Sequence, residues 1–125
     1  MGDRIKSHKE LEVYQLAFSS AMEIFKLTEK FPKEEKYSLT DQIRRSSRSV
    51  CANIAEAYRK KRYPKSFILK LNDSEAEANE TQVWIEFSMS LKYLSRVTAD
   101  KLYYQYDVII GKLIRMSNQP EKWTF

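Results

Sequence analysis

The sequence is poor in the residues that interrupt helices and in those that perform covalent chemistry. Its 125 residues include 2 Gly, 3 Pro, one Cys and one His. So few glycines and prolines argue against a turn-rich β protein and favour long helices. Two glycines also cannot build a glycine-rich phosphate loop. No apolar run reaches the roughly 18 residues that cross a bilayer, so we expect no membrane helix.

The single cysteine and the first residues bear on where the protein works. Cys51 has no second cysteine with which to form an internal disulfide, which fits a reducing compartment. Residues 1–4 lack the apolar segment of a secretory signal. We therefore predict a cytoplasmic protein.

The same scarcity argues against an enzyme. His8 is the only histidine, so no histidine-based triad can be assembled around Cys51. Di-iron helical bundles need Glu-x-x-His pairs, and the chain has none. Glu75, Glu77 and Glu80 lack nitrogen ligands beside them, so we interpret them as a solvated or salt-bridged face. We predict no catalytic residue, no metal and no cofactor.

What the chain does contain is helical periodicity. Apolar residues recur at spacings of three and four over about residues 8–31, 39–62, 65–94 and 98–117. Ser7 and Ser38 are predicted to cap the first two helices. The predicted apolar stripe of the first helix is Leu11, Tyr14, Phe18, Met22 and Phe25, widened by Val13, Ala17, Ile24 and Leu27. That of the second helix is Leu39, Ile43, Val50, Ile54 and Tyr58, and that of the third is Phe67, Leu71, Ser74, Ala78, Ile85 and Met89. That of the fourth helix is Leu102, Tyr106, Ile109, Leu113 and Met116. Short links between such helices predict one all-α domain over residues 1–125, an antiparallel up-and-down four-helix bundle.

Charge is segregated along the chain. The net charge is +5, yet residues 44–65 hold eight Lys and Arg against one acidic residue, and residues 71–91 hold five carboxylates without a Lys or Arg. On a helical wheel the arginines of the second helix fall within roughly 60°, about 140° from its apolar line. The candidate nucleic-acid-binding residues are Arg44, Arg45, Arg48, Arg59, Lys60, Lys61, Arg62 and Lys65.

Arginine suits phosphate because its planar guanidinium binds two oxygens at once. Tyr58 and Tyr63 lie close by in the sequence and could stack on bases. Two other interpretations stay open at this point: the basic face is simply solvated, or its arginines pair with the carboxylates of the third helix, within or between subunits.

The third helix has a second apolar face, away from Phe67, Leu71 and Ile85. Two apolar stripes on one helix indicate contact with its own bundle and with another subunit. The predicted oligomer interface is Val83, Trp84, Phe87, Leu91 and Leu94. In the alternative interpretation the C-terminal tail, with Trp123 and Phe125, covers this face.

Three segments together resemble a known family. They are "KELEVYQLA", "FPKEEKYSLTDQIRRSSRSVCANIAEAY" and "EANET". They are similar to the four-helix-bundle proteins encoded by intervening sequences in bacterial large-subunit ribosomal RNA genes, over about residues 7–115. That family is in turn similar to the accessory proteins of diversity-generating retroelements, which form basic homopentamers and act with a reverse transcriptase.

The resemblance implies a four-helix bundle, a ring-like homopentamer, and binding to nucleic acid or to an enzyme that acts on it. Arg44 and Arg45 match the family's paired arginines. Asn53 and Glu56 match its Asn-Ile-Ala-Glu segment, for which we expect a hydrogen bond between helices. The chain departs from the family pattern at Ala57, where glycine is usual, and at residues 46–48 and 73–74.

Two main functions are therefore expected, and the first is favoured. In the first, the chain is a non-catalytic, oligomeric scaffold that binds RNA or DNA through its arginine-rich helix. In the second, it is a protein adaptor or accessory subunit for a nucleic-acid enzyme such as a reverse transcriptase, without binding nucleic acid itself. A third and weaker option is an enzyme subunit whose site is completed by another chain.

Overall fold

The computed structural model describes residues 5–123 and places them in four long helices. These are α1 (Glu12–Thr28), α2 (Leu39–Arg59), α3 (Pro64–Ser90) and α4 (Arg96–Asn118), with short 3-10 turns at His8–Glu10, Lys33–Glu35 and Pro120–Lys122. No strand occurs among these residues, so the predicted all-helical class with four helices is confirmed. Within the same range no helix is both long and apolar enough to cross a membrane.

The starts of α1 and α2 differ from the predicted caps. Ser7 accepts a hydrogen bond from the Lys9 N–H at 3.0 Å, so it caps the 3-10 turn, and α1 begins only after the extended Leu11. The side chain of Ser38 caps nothing, and the carboxylate of Glu35 accepts from the Leu39 N–H at 3.2 Å instead. A carboxylate reaching back from the preceding turn satisfies one of the N–H groups that a helix start leaves without a partner.

The end of α3 corrects one predicted interface residue. Lys92 has a φ of 67°, a left-handed conformation that costs a non-glycine residue roughly 1 kcal/mol or more. The chain reverses there, and the N–H groups of Tyr93 and Leu94 both donate to the Ser88 carbonyl, at 2.8 and 3.1 Å. Helix α3 therefore ends at Ser90 rather than 94, and Leu94 folds back into the core with 8% of its surface exposed. Leu94 does not belong to an outward face.

The four helices share one core. Helix α1 packs against α2 and α4, and α3 packs against the same two helices. Among the described residues no Cα atom of α1 comes within 8 Å of one in α3, so these two helices lie across the core from each other. Fully buried side chains come from every helix, among them Ala17, Ile54, Leu71 and Leu102.

Small and hydroxylated residues set the spacing of α2 and α3. Ser46 and Thr81 share a buried hydrogen bond of 2.8 Å, and Ser74 donates to the Val50 carbonyl at 2.8 Å. Short side chains allow the two backbones to approach, and the hydrogen bonds satisfy hydroxyls that would otherwise be buried without partners. Ala57, also on α2, is fully buried.

The core-facing side of α1 includes Val13, Ala17 and Ile24 of the predicted stripe, but not Phe18 and Met22. Its buried residues are Val13, Ala17, Ser20, Ile24 and Thr28. The predicted stripe is wrong for Phe18 and Met22, which are 50% and 46% exposed. Both sets repeat at helical spacing, but Ser20 and Thr28 lower the hydrophobicity of the buried one.

Candidate nucleic-acid interface

Arg44 is held against α1. Its Nε donates to Thr28 Oγ1 at 2.8 Å and its Nη2 to the Phe25 carbonyl at 3.4 Å, while the guanidinium lies 4.4 Å from the centre of the Phe25 ring. The side chain is half-buried. Arg44 is thus a structural residue first, although its positive charge still contributes to the local field.

Arg45 faces the opposite way, toward α3. Its Nη2 donates to Gln42 Oε1 at 2.9 Å and to Glu80 Oε2 at 3.0 Å. The Arg45 side chain is nevertheless 52% exposed. Since the same Glu80 oxygen also accepts from the Trp84 Nε1–H at 3.1 Å, the carboxylate is shared. Among the eight predicted residues, Arg45 forms an ion pair with a carboxylate of α3.

These two arginines border a shallow groove on the N-terminal half of α2. We define the groove cluster as its four cationic side chains, Lys36, Arg44, Arg45 and Arg48. Asp41 is the one acidic residue that lines the groove, and Tyr37 stands at its edge with 86% of its surface exposed. Arg48 is exposed and forms no ion pair among the described residues. The groove therefore combines positive charge with an accessible aromatic ring.

The remaining predicted residues form a separate group, the turn cluster: Arg59, Lys60, Lys61, Arg62 and Lys65. Helix α2 ends at Arg59, so Arg62 lies beyond the helix and not on its stripe. Fifteen residues separate Arg44 from Arg59 in the chain, which corresponds to about 22 Å along a helix. Between the clusters the same face of α2 carries Ala52 and Ala55. The single arginine stripe of the helical wheel is in fact two basic sites.

The two tyrosines predicted to stack on bases differ in their exposure. Tyr58 is half-buried: its hydroxyl donates to the Ile5 carbonyl at 2.8 Å, and Lys61 Nζ lies 4.0 Å from its ring centre. It is therefore a packing residue, and less of its ring is accessible than that of Tyr63. Tyr63 is 64% exposed within the turn cluster, where a base could reach it.

The Asn-Ile-Ala-Glu segment makes a contact between helices, though an ionic one. Glu56 pairs with Lys70 Nζ of α3 at 2.7 Å, and Lys70 also reaches Asp73 at 3.5 Å. The hydrogen bond to Lys70 lowers the pKa of Glu56. The half-buried Asn53 makes no hydrogen bond among the described residues.

The outward face of α3 retains most of its predicted apolar residues. Val83, Phe87 and Leu91 are 37%, 51% and 48% exposed. Trp84 is half-buried and its ring centre lies 5.8 Å from that of Phe87, so it supports the face from the side. Trp123 lines a different pocket, beside Leu11 and Val13 at the start of α1, and Phe125 lies outside the described residues.

Cys51 and His8, the candidate nucleophile and base, both make packing contacts. Burial raises the pKa of the Cys51 thiol to about 11, so the thiol is protonated at neutral pH and weakly nucleophilic. The ring of His8 packs edge-on against Tyr14 at 4.7 Å. No group of three His, Cys, Asp or Glu side chains in the described part of the chain is placed to hold a metal ion.

Lys36 and Tyr37 join the groove although the sequence does not single them out. They precede α2, in a segment that periodicity does not address. The signal available in the sequence was a cation and an aromatic residue directly before a helix whose first turns carry Arg44 and Arg45. Their position depends on the Lys33–Glu35 turn, which returns the chain over the start of α2.

Comparison with known proteins identifies relatives in sequence and in structure. Residues 9–115 match the model of a family described as 23S rRNA-intervening sequence protein. A crystal structure from Bacteroides thetaiotaomicron, described as a protein with unknown function from the S23 ribosomal protein family, is similar with a TM-score of 0.74 and 29% identity. The match covers 84% of this chain and 97% of that one. No curated protein matches the chain in sequence.

Proposed function

Because this chain belongs to the family of 23S rRNA-intervening sequence proteins, we propose that it is a non-catalytic, oligomeric protein that binds nucleic acid through the arginine-rich face of α2. The observation that carries the proposal is the groove cluster: four cations around one concavity with a single lining carboxylate, Asp41. The name of the family connects it with 23S rRNA, which makes RNA the first polyanion to test.

The groove suits phosphate in both charge and geometry. Arg48 is exposed without a carboxylate partner among the described residues, and half of the Arg45 side chain faces solvent. Arg44 is already fixed by α1, so its charge is present without further loss of conformational freedom. Tyr37 stands beside them as a ring on which an unpaired base can stack.

Self-association would multiply these contacts. The short links at 60–63 and 91–95 favour antiparallel neighbouring helices, and the resemblance implies five copies in a ring. In a symmetric ring each groove recurs once per subunit, so several weak phosphate contacts act together. A homopentamer has five times the 14.9 kDa mass of one chain, which light scattering measures directly. A cytoplasmic location stays a prediction.

Binding to labelled RNA hairpins and DNA duplexes, measured by fluorescence anisotropy, tests the proposal. We expect affinity that falls steeply between about 50 and about 200 mM salt, because phosphate contacts release counterions. The double variant Arg45→Ala, Arg48→Ala should lose most of the binding. Its oligomer mass is measured alongside, because Arg48 also borders the concavity between α1 and α2. Arg44 is left unchanged because its loss would also affect folding.

A matched control removes two cations elsewhere. Arg96 and Lys101 are exposed on α4, and replacing both with alanine changes the net charge by the same amount. This control should keep nearly all binding. Absence of binding by the wild-type oligomer at about 50 mM salt, or equal loss in the control, would rule out a binding site in the groove.

The exposed apolar face of α3 favours a second candidate function. A protein adaptor for a nucleic-acid enzyme, such as a reverse transcriptase, needs such a face and does not need the groove. A stoichiometric complex with a polymerase encoded by a neighbouring gene, formed from purified proteins after nuclease treatment and retained by the Arg45→Ala, Arg48→Ala variant, would favour this function.

A further inference from the structure

Helix α1 and helix α2 form an apolar groove that nothing in the described structure covers. Four side chains of α1 form one wall: Tyr14, Phe18, Met22 and Phe25. Phe18 and Met22 are about half exposed, although an aromatic ring or a methionine in water loses the stabilisation that burial would provide. The wall extends from Tyr14 to Phe25, which is about 16 Å along the helix.

The floor and ends of this apolar groove come from α2. Ala52 and Ala55 form the floor, and alanine side chains leave room for a neighbouring helix to approach closely. Arg48 lies one turn before Ala52, and Arg59 one turn after Ala55. Both arginines are exposed and form no ion pair among the described residues. The groove is therefore apolar in the middle and positive at each end.

The opposite side of the bundle carries a helix face with the complementary character. We define the outer α3 stripe as Leu69, Ala76, Val83, Phe87 and Leu91. The first three repeat every seven residues, and all five are exposed. Glu80, which also pairs with Arg45 of the same chain, lies within the sector of the stripe, and Glu86 lies beside it. Residues 71–91 contain no cation. An apolar helix face edged with carboxylates fits an apolar groove edged with arginines.

The positions of the two surfaces determine what kind of contact they can make. Helices α1 and α3 lie across the core from each other, so the groove and the stripe face away from one another. One copy cannot bring them together. Two different complementary surfaces on opposite sides of a subunit produce head-to-tail association, which closes into a ring or extends as a filament.

We infer that the apolar groove of one copy receives the outer α3 stripe of a second copy. This inference rests on the self-association that forms part of the proposed function. It adds which two surfaces meet, and it assigns Phe18 and Met22 as the partners of Val83 and Phe87. Helix-in-groove contacts of this type place apolar side chains at helical spacing into a hydrophobic channel.

Mass measurement with surface variants tests the pairing in the absence of nucleic acid. Phe18→Glu with Met22→Glu should reduce the wild-type assembly to single chains of 14.9 kDa, and Val83→Glu with Phe87→Glu should do the same. An equimolar mixture of the two variants should then form a dimer, because one intact groove and one intact stripe remain. Val97→Glu, at a 79% exposed apolar position on α4, is the matched control and should assemble as the wild type does.

The mixture separates the possible arrangements. If like surfaces met instead, groove to groove or stripe to stripe, the mixture would show no contact between the two variants, and the inference would be wrong. Assembly unaffected by either variant, or equally lost in the Val97→Glu control, would also overturn it. A wild-type protein that is monomeric at all concentrations would reject self-association itself. Nucleic-acid binding would still be tested separately, by the variants of the groove cluster.

Site-specific cross-linking supplies a second measurement that does not depend on disrupting the assembly. In a Cys51→Ser background, a Phe18→Cys chain and a Phe87→Cys chain should form a mixed disulfide under mild oxidation. A Val97→Cys chain should not cross-link to either. Circular dichroism of each variant checks that its helices are intact, and absence of the mixed disulfide from folded chains would contradict the pairing.

Discussion

The groove cluster and the turn cluster carry the same kinds of side chain at opposite ends of α2, yet the fold uses them differently. In the groove cluster, Arg44 is fixed on α1 and Arg45 on α3, around a concave surface. In the turn cluster, Arg59 and Arg62 are exposed, and Arg62 lies beyond the end of the helix. The two clusters therefore differ in how far their side chains are preorganised, and not in the type of charge they carry.

The largest expected difference is in nucleic-acid affinity. Arg45→Ala with Arg48→Ala should weaken RNA binding on the order of 10- to 100-fold at low salt, because two phosphate contacts are lost. Each lost contact should also reduce the slope of log affinity against log salt by about 1. Arg59→Ala with Arg62→Ala should weaken it only about threefold, because these side chains must first be ordered. Anisotropy titrations at two salt concentrations measure both variants. A larger loss in the turn variant would reverse the ranking.

Stability should separate Arg44 from Arg48. Arg44→Ala removes a hydrogen bond to Thr28, a second to the Phe25 carbonyl and a cation–π contact, so the free energy of unfolding should fall by roughly 1–2 kcal/mol. Arg48→Ala should change it by less than about 0.5 kcal/mol, since the side chain is exposed. Urea denaturation followed by circular dichroism compares the two. Equal effects would contradict the structural role of Arg44.

Replacing the carboxylate partner of Arg45 should strengthen binding. Glu80→Gln frees the guanidinium for phosphate and keeps an oxygen that can accept from the Trp84 N–H. We expect RNA affinity to rise about two- to fivefold, with little change in stability because the pair is largely exposed. Glu75→Gln, on the same helix, is the charge-matched control. If both variants gain equally, the effect is one of net charge and not of Arg45.

The smallest expected effect concerns Glu77, which lies one helical turn from that pair. Burial, followed by the charge of Glu80, raises the pKa of Glu77, and one of its buried oxygens lacks a hydrogen-bond partner. A raised carboxyl pKa means that the ionised form destabilises the fold at neutral pH. Glu77→Gln should therefore be more stable than wild type at pH 7, and the advantage should shrink as the pH falls toward the ordinary value of 4.5. A difference independent of pH would contradict this origin.

The regular parts of the fold could be predicted from the sequence. The stripes of α2, α3 and α4 repeat large apolar residues at helical spacing, and Ile54, Leu71 and Leu113 are all buried as predicted. For α1 the predicted stripe was too wide: Val13, Ala17 and Ile24 are buried as predicted, and only packing against the neighbouring helices excludes Phe18 and Met22. Leu94 escaped prediction because a reversal at Lys92, without glycine, left no signal.

The candidate site divides in the same manner. The segregation of charge along the chain is a property of the sequence, and it indicates α2 as the helix that carries the candidate site. Which arginines are held, and by what, depends on Thr28, Phe25 and Glu80, which are distant in sequence. The addition of Lys36 and Tyr37 likewise depends on a turn that periodicity does not describe.

The sequence by itself determined four helices, their approximate limits and the uneven distribution of charge, because helical period and composition are local properties of the chain. Only the tertiary structure decided which residues of the wide apolar stripe of α1 are buried, which arginines stay accessible and which apolar surfaces lie on opposite sides of the bundle. The physical reason is that the sequence pattern of one helix allows more than one face to be buried. Only the fit against the neighbouring helices selects among these faces.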